Sequence, residues 1–212
     1  MGTYRGLLLL IAVCALVVFM AWQGQQRVFV NLGRLDVRQE GGAVVLSWRS
    51  AVEAPMARRF EEAFDAWADE TDRFIIDLNS PGGSLGEGAR VIEVIEEMQR
   101  THQVDTHVGR GRSCLSMCVP IFLLGEERRA AGSSRWMFHE PSTRDAVTGE
   151  EVRIPRFEQR YVADRFVERY FVQSPMDQEW LAKLEEDWQG KDVWRTGRQL
   201  YGEGANVILE LY

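Results

Sequence analysis

The sequence predicts an α/β domain, a mostly parallel sheet covered by helices, following an apolar N-terminal segment. Two observations lead there. Short runs rich in Val, Ile and Phe alternate with longer stretches of helical periodicity, and that alternation implies parallel strands with helices on their faces. The composition, 45% hydrophobic and 27% charged, is that of an ordinary globular chain able to fill a core. At 212 residues the chain holds one compact domain and a short accessory segment. A net charge of -7 excludes the basic face that a nucleic-acid partner requires.

The accessory segment comes first. Gly6 to Trp22 carries no charged residue over 17 positions, near the lower limit of roughly 17 apolar residues for a spanning helix. A cleaved signal peptide fits less well, because the run exceeds the roughly 7–15 residues of a signal core and no small-x-small site follows. Residues 1–24 are therefore expected to anchor the chain in a membrane, with residues 25–212 as the globular domain. Arg27 and Arg34 outnumber Arg5 across that segment and lean towards a cytoplasmic domain. Cys114 and Cys118, a close pair suited to oxidation, lean the other way.

Strands are expected at Arg27–Asn31 and, after the Gly41-Gly42 turn, at Ala43–Trp48. Phe60, Phe64 and Trp67 give Pro55–Thr71 a helical spacing, and Arg73–Leu78 reads as a buried strand. Asn79-Ser80-Pro81-Gly82-Gly83 breaks that strand, and helical spacing returns from Ser84 to Arg100. Val104–Val108 and Trp136–Phe138 are further strands, with an apolar helix starting at Ser116 between them. Thr143–Ile154 is a polar loop. Helices follow at Pro155–Val172 and Met176–Trp188, then a last strand at Asn206–Leu211.

Two adjacent glycines at a strand-to-helix turn allow close backbone approach, and the amides there suit an anion or a developing oxyanion. A plain tight connection explains the same glycines. Gly83, Gly86 and Gly88 run in the reverse sense to a dinucleotide fingerprint, and no P-loop lysine follows. Ser116 reads either as a helix N-cap or as a nucleophile beside that loop. His139 reads either as a structural histidine at a strand end or as a base. His102, His107, Cys114 and Cys118 have spacings that a zinc site can use, and the cysteines alone can form a disulfide or stay as free thiols.

The order Asn79-Ser80-Pro81-Gly82-Gly83, Ser116-Met117, then Met137-Phe138-His139-Glu140-Pro141 resembles the Clp protease proteolytic subunit and its ClpP/crotonase relatives. Asp192, followed by Thr196 and Gly204, is similar to that family's orienting aspartate and its surroundings. The resemblance covers about residues 43–207. It implies a peptidase with Ser116 as nucleophile, His139 as base and Asp192 as third member, with the oxyanion held by the amides of Gly83 and Met117. It implies a peptide or protein substrate, a helical handle at about residues 155–188 through which copies associate, and no cofactor or metal. Leu115 and Cys118 depart from the small residues that the family carries around its serine. The cysteine pair and the anchor together resemble the periplasmic ClpP-like proteins, which points to an extracytoplasmic domain. A ClpP-like module that binds peptide without cleaving it is the rival reading.

Overall fold

The computed structural model describes residues 31–32, 35–141, 155–188 and 190–212. The apolar segment at Gly6–Trp22, most of the strand expected at Arg27–Asn31, and the polar loop at Thr143–Ile154 lie outside the described residues. Among the described residues no helix is long and apolar enough to cross a membrane.

A short strand β1 (Asn31–Leu32) pairs antiparallel with β2 (Leu35–Glu40), which turns back into β3 (Ala43–Trp48). The turn is Gly41-Gly42, with φ of +59° and +86°, as a tight hairpin requires at both central positions. From β3 onward the chain winds through helical crossovers. Helix α1 (Met56–Trp67) leads to β4 (Arg73–Leu78), and α2 (Leu85–Met98) leads to β5 (Gln103–Val108). Strands β3, β4 and β5 pair in parallel, and β7 (Arg128–Ala130) and β10 (Glu210–Leu211) extend the same edge. The result is a seven-stranded sheet ordered β1-β2-β3-β4-β5-β7-β10, parallel through its larger part and antiparallel at the hairpin end.

Alternation within the strands explains why helices cover the sheet. Val44, Leu46 and Trp48, then Phe74, Ile76 and Leu78, share one face and are fully buried with Phe60 of α1 and Val91 and Ile95 of α2. Trp48 meets Phe60 edge-on, with ring centroids 6.2 Å apart. Helix α2 starts at a real cap, Ser84 Oγ accepting from Glu87 N at 3.2 Å. The buried Glu87 carboxylate reaches the first turn of α1 and accepts from Ala57 N at 2.9 Å, tying the two helices together.

A second sheet matters more for the site. Strands β6 (Ser113–Leu115), β8 (Arg135–Phe138) and β9 (Val193–Thr196) form it in that order, β6 and β8 parallel and β8 and β9 antiparallel. Between β6 and β7 runs α3 (Cys118–Leu123), buried on every side and therefore central. The expected long helix is α4 (Arg156–Val167), continued by a π-helical stretch at Glu168–Val172, and α5 (Gln178–Asp187) follows. Of the aromatic residues on this helix, only the later ones belong to the core. Phe166 and Phe171 are buried, whereas Phe157 and Tyr161 are 73% and 65% exposed. Strand β9 hands over to α6 (Gly197–Gly202) through a capping box between Thr196 and Gln199.

Candidate active site

The Asn79–Gly83 loop leaves the large sheet and joins the small one. Asn79 Oδ1 accepts from Ser113 N at 3.0 Å, Ser80 N donates to Ser113 O at 2.8 Å, and Leu115 N donates to Ser80 O at 3.1 Å. The buried Ser80 hydroxyl accepts from Gly82 N at 3.2 Å and closes the turn on itself. From the other side Val52 grips the loop, its N–H on Gly82 O at 2.8 Å and its carbonyl accepting from Ser84 N at 2.7 Å. Both glycines are obligatory by contact. At Gly82 (φ +84°) a Cβ would lie 2.5 Å from Leu115 O and 2.7 Å from Ser116 Cβ, and at Gly83 it would run into the Val52 backbone. The loop is thus pressed directly against the turn that carries Ser116.

Ser116 is not an N-cap. Its φ is +51°, a left-handed conformation that costs an ordinary residue about 1–2 kcal/mol and holds only where the surroundings impose it. Such a turn between a strand and a helix lifts the side chain off the end of the sheet. Ser116 N donates to Met137 O at 2.9 Å, binding the turn to β8. His139 follows β8 by one residue as Ser116 follows β6, so the pair stands at the carboxyl ends of adjacent parallel strands, where α/β folds place their ligands. Ser116 Oγ and His139 Nε2 lie 2.7 Å apart and half-buried, within hydrogen-bond distance; in the tautomer that carries its proton on Nδ1, His139 accepts from the hydroxyl.

The amides expected to receive an oxyanion border the same spot. Neither Gly83 N nor Met117 N donates a hydrogen bond among the described residues. The Met117 side chain is buried against Gly88 of α2, where any Cβ would overlap its Cγ and Cε, so this glycine seats Met117.

Asp192 departs from expectation. The β8–β9 register pairs Phe138 with Val193, so one step further Asp192 stands opposite His139 at the same end of the small sheet. Its side chain nevertheless lies exposed and makes no hydrogen bond or ion pair among the described residues, so Asp192 is not the buried carboxylate expected of a third member here. It lies just before β9, after the Gly190 turn.

The structure joins Cys114 to Cys118 by a disulfide, with an S–S distance of 2.01 Å. The alternative zinc set is not assembled, since His102 Nε2 turns to Ala68 O and His107 Nδ1 to Asp77. Sequence reasoning missed the network around Asp77. Its carboxylate, 1% exposed, meets both His107 Nδ1 at 2.8 Å and Arg112 at 2.5 Å, while Tyr212 Oη lies 2.6 Å from His107 Nε2. Burial alone would raise the Asp77 pKa, but the hydrogen bonds and charges of His107 and Arg112 reverse this and hold it at about 2. Asp77, His107 and Arg129 occupy one row across β4, β5 and β7, a proximity that no local pattern in the sequence signals.

A family model described as Clp protease matches residues 56–198, about two thirds of the chain and all of the candidate site. This chain belongs to the Clp protease family. Among solved structures this Clp protease family member is similar to a ClpP1 mutant from Listeria monocytogenes, with a TM-score of 0.58 and 17% identity, over 79% of this chain and 90% of that one. At that identity the likeness is one of fold. None of the curated proteins matches in sequence.

Proposed function

We propose that this Clp protease family member is a serine peptidase anchored in a membrane by residues 1–24, with its globular domain outside the cytoplasm. The observation that carries the reading is the 2.7 Å approach of Ser116 to His139 beside the amides of Gly83 and Met117, which donate no hydrogen bond among the described residues. Ser116 Oγ attacks the carbonyl of a peptide substrate while His139 Nε2 takes its proton. The oxyanion of the tetrahedral intermediate is received by the two amides, and His139 then returns the proton to the leaving amine. Water attacks the resulting acyl-enzyme by the same path. Asp192, opposite His139 in the strand register, is the carboxylate that orients the imidazole when substrate closes the site. This chemistry needs no cofactor.

The apolar run at Gly6–Trp22 supports the anchor, and the Cys114–Cys118 bridge supports an oxidising compartment. Exposed Phe157 and Tyr161 on α4 support association of copies through this handle. The exposed Asp192 and the bulky Leu115 favour a second reading, a peptide-binding domain that does not cleave. A fluorophosphonate probe separates the two. Labelling at Ser116, abolished in both Ser116→Ala and His139→Ala, is the expected result; a folded wild-type chain that stays unlabelled would overturn the peptidase reading.

A further inference from the structure

We propose that the Cys114–Cys118 disulfide is a positioning element for the nucleophile, holding Ser116 in the left-handed conformation from which its hydroxyl meets His139, so that the site is competent only when oxidised. The rate assay below rests on the peptidase reading, but the geometric claim does not.

The bridge spans a separation of four residues, with Ser116 midway and Cα atoms 5.2 Å apart. A loop so short removes little freedom from the unfolded chain, so the effect of this bridge is mainly local. The local need is plain, because Ser116 occupies a region of backbone space that a serine leaves unless held. The N-terminal side of the turn is already fixed. Cys114 lies within β6, opposite Trp136 of β8, and bridges to Ser80 of the glycine loop.

The C-terminal side has fewer hydrogen bonds, although Met117 packs on Gly88 and α3 is buried. Helix α3 begins at Cys118, and its N-cap Met117 supplies no side-chain capping bond. Among the described residues, the turn is closed there by the backbone bond from Val119 N to Ser116 O at 2.9 Å. The disulfide therefore supplies, at the first residue of α3, the tie that a capping side chain supplies elsewhere. Both half-cystines are fully buried, so the link belongs to the floor of the site rather than to its surface.

Reduction breaks the S–S bond and leaves two thiols. A dithiol such as dithiothreitol provides the two electrons and two protons, and its own sulfurs close into a disulfide. With the tie gone, Ser116 relaxes towards ordinary backbone conformations and its hydroxyl leaves His139.

The test uses the full chain carrying Cys14→Ser, so that thiol counting reads only the pair, alongside the same chain with Cys114→Ala and Cys118→Ala. Three quantities are measured: the rate of fluorophosphonate labelling, the far-ultraviolet circular dichroism, and the His139 ring C2-proton resonance, assigned with His139→Gln. The expected result is a labelling rate at least about tenfold lower on reduction and in the double variant, equivalent to about 1.4 kcal/mol. The dichroism should be unchanged, the His139 resonance shifted, and the rate restored on reoxidation. An unchanged rate with two thiols counted would overturn the proposal. So would loss of the folded spectrum, since the bridge would then hold the domain and not the turn. If the oxidised chain does not label at all, the peptidase reading fails and the His139 resonance decides alone: a shift on reduction upholds the positioning role, and no shift overturns it.

Discussion

Replacing Gly82 by alanine tests the claim that the glycine loop and the nucleophile turn are one packed unit. The new Cβ would stand 2.5 Å from Leu115 O and 2.7 Å from Ser116 Cβ, about 1 Å inside the ~3.5 Å at which non-bonded atoms attract. Both obstacles belong to the nucleophile turn, so relief requires that turn or the loop to move by roughly that distance. A φ of +84° adds about 1–2 kcal/mol for any residue with a Cβ. Overpacking adds about 1–3 kcal/mol. A loss of roughly 2–5 kcal/mol should lower the melting temperature by roughly 5–15 °C for a domain of this size. The effect on the site is sharper. Moving reacting groups by about 1 Å costs about 100-fold in rate, so labelling of Ser116 should fall by that factor in protein that is still folded. The assay is the labelling rate in Gly82→Ala beside Gly111→Ala, whose added Cβ meets nothing within 4 Å although its φ is also positive, +67°. Equal rates in the two variants would refute the packing argument, because backbone strain is common to both and only the clash differs.

Asp192→Asn should slow labelling by at least tenfold, and by up to about 10⁴-fold if the carboxylate fixes the imidazole tautomer during reaction, while Asp187→Asn leaves it unchanged; equal rates would remove Asp192 from the mechanism. Gly88→Val should displace the Met117 side chain and, with it, the Met117 amide, lowering the maximal labelling rate more than the apparent probe affinity in saturation kinetics. Asp77 governs acid stability. Its folded-state pKa lies below the ordinary value of 3.8, so its contribution is fully present above about pH 4 and is lost as the pH falls towards about 2. The step from 3.8 to about 2 corresponds to about 2 kcal/mol, so urea unfolding at pH 5 and pH 2 should show wild type losing about that much more than Asp77→Asn. An equal loss in both would mean that the His107 and Arg112 contacts do not hold the carboxylate ionised.

The sequence alone determined what depends on neighbours along the chain. Short apolar runs bounded by turn residues specified β3 and β4, and a helical spacing of apolar residues specified α1 and α2, where side-chain direction repeats every 3.6 residues. The Asn79–Gly83 loop was legible for a similar reason, since Asn79, Ser80, Gly82 and Gly83 each serve a contact that few other residues can make. What escaped were β2 and the short strands β6, β7 and β9, the last three only three or four residues long and dependent on the partners that flank them. The helix expected to start at Ser116 starts instead at Cys118, because the residues before it are consumed by a left-handed turn that tertiary contacts impose. Ser116 and His139 lie 23 residues apart in the chain, and only the parallel pairing of β6 with β8 brings them to 2.7 Å. For Asp192 the motif marked the position, and the β9 register carried it opposite His139. That its side chain lies exposed was decided by the tertiary fold, a property of the folded surface that no sequence spacing records.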